Sequence, residues 1–247
     1  YGAGGGTRTK TLDLVARIKS EIGLESMAHL TCVGSGRSEI LEILNILKAR
    51  GVENILALRG DPPQGQNHFT KPKDGFGYAN ELVEFIKNDF DFSIGVAGYP
   101  EGHVECPDLE KDLTHLKRKV DAGADFIVTQ LFFDNTYFFR FMDRVRARGI
   151  DIPVVPGIMP ILNVNKIKRF TQMCGATLPA GLLRRLEAAQ GQPEEVSSIG
   201  VEHALGQCEK LLAEGAPGIH FYTLNRSNAT LKVLDGLKKP VDTSSDP

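Results

Sequence analysis

The sequence predicts an α/β protein of the (β/α)8 TIM-barrel class, with the first strand–helix repeat falling upstream of residue 1. Three observations predict it. Apolar, β-rich runs recur along the 247 residues, each closed by Gly, Pro, Asp or Ser and followed by an amphipathic stretch. The runs are nearly continuous rather than alternating, as expected of strands buried on both faces in a parallel sheet covered by helices. The opening run, YGAGGGTRTKTLDLVARIKSEIG, has the form of a strand end, a loop and a helix from about Lys10. Six visible repeats leave an open doubly wound sheet and a barrel as candidates. The opening run favours the barrel, because it supplies the end of a further strand whose body precedes residue 1, and one complete repeat before that brings the number to eight.

In chain order, strands are expected at 27–33 (MAHLTCV), 54–61 (NILALRGD), 93–100 (SIGVAGYP), 126–133 (FIVTQLFF), 153–160 (PVVPGIMP) and 218–224 (GIHFYTL). Between them, Ile40, Ile43, Leu44 and Leu47 follow helical spacing, as do Leu82, Val83 and Ile86 within Asn80 to Lys87. Leu109, Leu113, Leu116 and Val120 form a further apolar stripe, and Asp134 stands as the N-cap of an aromatic-rich helix over Tyr137 to Arg148. The long stretch before the last strand holds helices at roughly 163–173, 179–190 and 194–213. Residues 1–237 read as one catalytic barrel domain and 238–247 as a frayed tail; no repeat of 20 to 50 residues and no low-complexity linker interrupts them.

Composition narrows the partners. With 29 basic and 31 acidic side chains the net charge is -2, and the cations are interspersed with acids along predicted helices, which argues against nucleic acid. No apolar run approaches the roughly 20 residues of a membrane helix, and a soluble protein without membrane contact is expected. Cys32, Cys106, Cys174 and Cys208 lie far apart with no C-x-x-C pair, so they read as reduced thiols of a cytoplasmic protein rather than a zinc knuckle or a disulfide framework.

A barrel carries its active site at the C-terminal strand ends. The polar residues at those ends are His29 and Thr31; Arg59, Gly60 and Asp61; Tyr99 with His103; Thr129 and Gln130; and Tyr222 with Asn225 and Arg226. One or two could be satisfied core groups, whereas a converging set favours a ligand site. Other motifs are weaker. GSGRSE at 34–39 resembles the start of a dinucleotide fingerprint, but Glu39 stands where the third Gly belongs. His29, His103 and His220 lack local metal-ligand spacing, so no metal is expected. Ser35 and Ser38 sit in no nucleophile elbow, and Cys32 has no activating neighbour in sequence. On the helix after Tyr99, Asp112, His115 and Lys119 fall on one stripe. Patterning leaves that stripe open between a solvated face and a clamp for nucleotide ribose and phosphates.

The segments AHLTC, ALRGDPP, AGYPEGH, LKRKVDAGADFIVTQLFFD, PVVPGIMPI and HFYTLNR, in this order, resemble the methylenetetrahydrofolate reductase family from Tyr1 to about Leu237. The resemblance implies a (β/α)8 barrel that holds FAD noncovalently and works by ping-pong exchange. NADH or NADPH first reduces the flavin and leaves; 5,10-methylenetetrahydrofolate then takes the same site and is reduced to 5-methyltetrahydrofolate. It also implies a homo-oligomer. Position by position, Tyr1 and Ala3, His29, Arg59, Gly60 and Asp61, Tyr78 with Ala79, and Tyr99 with His103 correspond to FAD contacts. Asp112, His115, Arg118 and Lys119 correspond to the residues that hold its ribose and diphosphate.

The resemblance makes Asp61 the carboxylate near flavin and pterin, where a negative charge disfavours anionic reduced flavin and stabilises the cation formed as the folate ring opens. Gln130 corresponds to the amide that bonds folate and nicotinamide in turn, which suits a side chain with both donor and acceptor. Tyr222 and Arg226 resemble folate contacts, Arg226 being suited to the glutamate carboxylate. The family's general acid is a glutamate expected upstream of residue 1, and the stop soon after the last barrel helix resembles the short bacterial form. Val104 stands where a proline is usual, so the loop after His103 is expected to sit differently. Two alternatives remain: another flavin-dependent barrel oxidoreductase, and a truncated FAD- or folate-binding barrel without turnover. The upstream glutamate discriminates the second.

Overall fold

The computed structural model describes residues 8–62 and 69–238; the expected strand end at the start, with Tyr1 and Ala3, and the tail beyond Lys238 lie outside them. The chain is an α/β fold that divides into two compact units, Tyr1–Ala97 with Thr114–Ile127, and Gly98–Leu113 with Val128–Pro247.

In the first unit, helix α1 (Arg8–Ile22) leads into β1 (Met27–Thr31), α2 (Arg37–Ala49), β2 (Asn54–Leu58), α3 (Ala79–Asp89) and β3 (Ser93–Gly98). The strands are parallel and follow chain order. Met27 to Thr31 pair with Asn54 to Leu58, and Asn54 to Ala57 with Ser93 to Val96. Leu30, Ile55, Ala57, Ile94 and Val96 are buried, as near-continuous apolar strands require. Helix α2 is held by Ile40, Ile43, Leu44 and Leu47, all buried; each such side chain removed from water contributes roughly 1.5–3 kcal/mol. Leu82, Val83 and Ile86 do the same for α3. Asp125 fixes the next strand by accepting the Ile94 N–H at 2.7 Å and the Lys87 ammonium at 2.9 Å.

Helix α4 (Leu109–Asp121) and strand β4 (Phe126–Thr129) each run from one unit into the other along the chain. The second unit continues with α5 (Asn135–Ala147), β5 (Val154–Val155), β6 (Gly157–Ile158), α6 (Val164–Cys174), α7 (Ala180–Ala188), α8 (Pro193–Ala213), β7 (His220–Phe221) and α9 (Asn228–Leu237). Asp134 caps α5 as its sequence position predicts, with Oδ1 accepting the Thr136 N–H at 2.9 Å. The core of this unit gathers Leu131, Phe133, Ile161, Ile167, Leu186 and Ile199 among others. Within it Gln207 Nε2 donates to Phe132 O at 3.2 Å and to Asn135 Oδ1 at 3.1 Å, while Asn135 Nδ2 donates to Gln207 O at 3.0 Å, so these buried amides satisfy one another. Helix α8 crosses the Ile161 backbone at Gly200, where an added methyl would overlap the Ile161 carbonyl.

The strands are shorter than the apolar runs. Arg59 to Asp61, Tyr99 to Pro100 and Gln130 to Phe133 leave the ladder as loops, and the run 153–160 is two strands, not one. Pro156 has no N–H to donate and divides them. After it, β6 pairs in parallel with β7, Gly157 against His220 and Ile158 against Phe221.

Candidate functional site

In the first unit the expected residues follow the ends of β1, β2 and β3. His29 is half-buried on β1, two residues before Thr31, whose buried Oγ1 has no hydrogen-bond partner. Beyond β2, Gly60 adopts φ +87°, and a Cβ there would stand 2.9 Å from Val33 Cγ1 and 3.0 Å from Thr31 Cβ. Both the backbone angle and the close approach require glycine. The Arg59 guanidinium lies 5.2 Å from the Phe69 ring centroid, and Asp61 is exposed. Tyr78, 62% exposed, precedes α3, and Ala79 is its first residue. Lys119 is drawn from α4 to the end of β3, where its ammonium donates to Ala97 O at 2.5 Å. His115 is half-buried on the same helix and Arg118 is exposed.

Two competing motifs in this unit resolve into structural roles. The Gly36 N–H at the start of α2 donates to the Glu39 carboxylate at 3.0 Å, and the Arg37 guanidinium lies over Phe76 at 4.9 Å. The residue that broke the dinucleotide fingerprint is therefore a helix cap. Cys32 donates to Leu58 O and Tyr78 O, and burial pushes its pKa up to about 12, which removes it as a nucleophile near neutral pH.

In the second unit, the Tyr99 and His103 rings meet edge to face at 4.7 Å, and His103 Nδ1 accepts the Glu105 N–H at 3.0 Å. The loop turns back at once, with Cys106 N–H donating to His103 O at 2.7 Å. Asp112 is half-buried on α4. Gln130, just past β4, donates its backbone N–H to Gly98 O at 2.8 Å and accepts the Leu131 N–H on Oε1 at 3.0 Å. Among the described residues its amide nitrogen has no partner, so that group is the one left to donate.

Tyr222 and Arg226 share a cavity of about 470 Å³, walled by Met159, Ile161, Leu162 and Leu224 and by α6, which adds Lys166, Arg169, Phe170 and Met173. The Tyr222 hydroxyl donates to Thr129 O at 2.9 Å, and burial, aided by nearby Cys174, pushes its pKa up to about 12. Tyr222 is thus a neutral donor. Leu224 and Asn225 take φ +48° and +61°, a left-handed pair that a non-glycine chain adopts at a cost and that bends the loop over the cavity rim. Among the described residues no acidic side chain lies within ion-pair distance of Lys166, Arg169 or Arg226. An apolar cavity with a cationic rim suits a flat ring carrying an anionic substituent. The α6 residues were missed by sequence reasoning, which placed a helix at roughly 163–173 and singled out none of its side chains; the signal available was a run of cations, Lys166, Lys168 and Arg169, beside Phe170.

Among the described residues no group of three or more His, Cys, Asp or Glu could hold a metal ion, and no helix is long and apolar enough to cross a membrane.

A model of the methylenetetrahydrofolate reductase family matches residues 1–238. Methylenetetrahydrofolate reductase (NADH) 1 of Arabidopsis thaliana is 41% identical over 248 residues, covering 96% of this chain and 42% of the plant protein. Methylenetetrahydrofolate reductase 2 of Saccharomyces cerevisiae is 42% identical over 243 residues, covering 96% of this chain and 40% of the yeast protein. The 5,10-methylenetetrahydrofolate reductase of Escherichia coli K12 is 38% identical over 237 residues, covering 96% of this chain and 78% of that protein. The chain therefore spans about two-fifths of its plant and yeast relatives and about four-fifths of the bacterial one. Among solved structures, an oxaloacetate acetylhydrolase in complex with oxalate superposes with a TM-score of 0.50 at 12% identity, over 97% of this chain and 69% of that chain, a likeness of fold alone.

Proposed function

The chain belongs to the methylenetetrahydrofolate reductase family, and on that premise we propose that it reduces 5,10-methylenetetrahydrofolate to 5-methyltetrahydrofolate, with FAD as resident cofactor and NADH or NADPH as donor, on a closed (β/α)8 barrel in the cytoplasm. The observation that carries the reading is the family match over residues 1–238, which takes in every strand-end residue named above. The name of the Arabidopsis relative supports NADH as the donor.

The residues present fit FAD. Thr31 Oγ1 is buried with its hydrogen-bonding capacity unspent, beside a Gly60 backbone stripped of any Cβ, and cationic Arg59 and Lys119 stand at the same strand ends. A flat polar ring with a diphosphate suits that combination. In the first unit His29, Arg59, Gly60, Tyr78, Ala79, His115, Arg118 and Lys119 would hold it. When bound, FAD supplies the two-electron carrier chemistry that the two substrates lack toward each other.

The chain's own groups then act by position and charge. Asp61 supplies negative charge against the cation that develops as the folate ring opens. Gln130 donates from the amide its own backbone leaves available, to the pterin or to the nicotinamide carboxamide in turn. Tyr222 and Phe170 give the apolar wall that excludes water, and Arg226 meets a carboxylate at the rim.

An anaerobic visible spectrum of the full-length protein tests this. Bound flavin should bleach on addition of NADH or NADPH and recover on addition of methylenetetrahydrofolate. Bleaching without recovery would point to a different acceptor, and a protein that retains no flavin would overturn the assignment.

A further inference from the structure

We propose that Glu101 is a positioning residue that ties the loop carrying Tyr99 and His103 to helix α6, so that ligand occupancy at one is felt at the other. The inference rests on the reading above, in which that loop meets the cofactor and α6 walls the substrate cavity.

Both oxygens of the Glu101 carboxylate accept the backbone N–H of Thr177, at 3.1 and 3.0 Å, three residues past the end of α6 and 76 residues along the chain. Two neighbouring contacts hold the same loop. Pro100 O accepts from the Arg144 guanidinium at 3.1 Å, and Val104 Cγ1 stands 3.1 Å from the point where Gly175, the left-handed cap of α6 at φ +75°, would carry a Cβ. The loop is therefore held at the end of α6 by Glu101 and Val104, and against α5 by Pro100.

The charge is what marks Glu101 out. A carboxylate near the carbonyl end of a helix stands where the helix dipole disfavours it, and α6 has no basic residue in its last turn to offset the repulsion. Its placement does not serve the helix. It does give the loop a charge-assisted bond, stronger and more directional than a neutral one. From that point the contact continues into the cavity. Cys174, the last residue of α6, directly precedes the Gly175 cap against which Val104 stands. Met173 and Phe170, next along the helix, are cavity wall. A change in the loop that pulls Glu101 is thus delivered to the turn of α6 that meets the substrate, and by reciprocity a filled cavity steadies the loop.

The test measures flavin dissociation constants of the full-length holoenzyme by fluorescence, with and without saturating 5-methyltetrahydrofolate, alongside KM and kcat for the folate. In the wild-type protein the folate should tighten flavin binding by about fivefold or more, the low end of ordinary coupling between sites. Glu101→Ala should bring that ratio to about one and raise the folate KM more than it lowers kcat. Glu101→Asp, which keeps the charge but shortens the reach, should do the same, and remains informative should the alanine variant not fold. Glu101→Gln, whose carbonyl still accepts the Thr177 N–H but without the charge, should recover only part of the ratio. A wild-type ratio of one, or an unchanged ratio in Glu101→Ala and Glu101→Asp, overturns the proposal while leaving the enzyme assignment intact. A wild-type protein that binds neither flavin nor folate overturns both.

Discussion

Tyr222 and Thr129 are joined by a 2.9 Å hydrogen bond from the phenolic hydroxyl to the backbone carbonyl, and the Thr129 hydroxyl in turn accepts the Gly157 N–H at 2.9 Å. One threonine at the end of β4 is thereby bonded to β6 and to the residue following β7. The cavity wall and the segment that presents Gln130 are set by the same link.

Tyr222→Phe removes the donor and leaves a part-buried carbonyl short of a partner, at an expected cost of about 1–2 kcal/mol by urea denaturation. The variant also separates a pH effect. The Tyr222 pKa is raised by burial from its ordinary 10 to about 12, so stability is unaffected below about pH 10 and declines between pH 10 and 12, where the unfolded chain releases the proton first. That alkaline decline should be shallower in Tyr222→Phe. An identical slope in the two proteins would contradict the burial of the hydroxyl.

Two glycines of α8 should respond in opposite directions to the same change. Gly206 has nothing within 4 Å of an added Cβ, so Gly206→Ala gains helix propensity and should stabilise by roughly 0.5–1 kcal/mol. Gly200→Ala gains the same propensity but drives a methyl into the Ile161 carbonyl, and overpacking of this kind costs on the order of 1–3 kcal/mol. Thermal melting of the two variants against wild type decides it, and equal shifts would mean that α8 does not sit on Ile161.

Acid should destabilise the protein before its carboxylates titrate. Burial lowers the pKa values of His203 and His220, and His203 Nε2 is committed to Phe133 O at 2.9 Å. Both histidines are neutral in the folded state where the unfolded chain already takes up protons. Their contribution is therefore complete above about pH 6.5, the unfolded value, and is lost as pH falls through the lower folded values. The urea midpoint should drop between pH 7 and pH 5, and His203→Gln should flatten that drop. A variant with an undiminished acid slope would place the titration elsewhere.

Asp61→Asn should leave flavin bound while slowing the folate half-reaction by on the order of tenfold more than the nicotinamide half-reaction, a difference of about 1.4 kcal/mol in transition-state stabilisation. Stopped-flow traces of the two half-reactions make the comparison directly. Equal slowing of both removes the role given to its charge.

What the sequence made legible was whatever depends on local periodicity. The α2 and α3 stripes, Ile40 to Leu47 and Leu82 to Ile86, are buried as their spacing requires, and Asp134 caps α5 from the position where a short acceptor precedes an apolar run. Strand ends were less legible, because apolar residues such as Leu131 to Phe133 pack as well from a loop as from a ladder, and the run 153–160 was read as one strand although Pro156, with no N–H, divides it. Of the site, the residues at strand ends could be named from position. Phe170, Lys166 and Met173 could not, since helical period distinguishes a buried face from an open one but does not tell which open residues border a cavity. The bond from Glu101 to Thr177 joins segments that no local pattern relates.

The close crossing of Gly200 on Ile161 gives the cavity two surfaces with different evolutionary freedom. Ile161 is backbone set against backbone, so its side of the cavity cannot advance or retreat without displacing a 21-residue helix. The opposite side is made of side chains on α6 and on the loop after β7, each exchangeable without moving the main chain. Ligand preference within such a scaffold can drift by replacing Lys166, Phe170 or Leu224 one at a time, while mutations on the Ile161 side are removed by selection for folding before they can be tried for function.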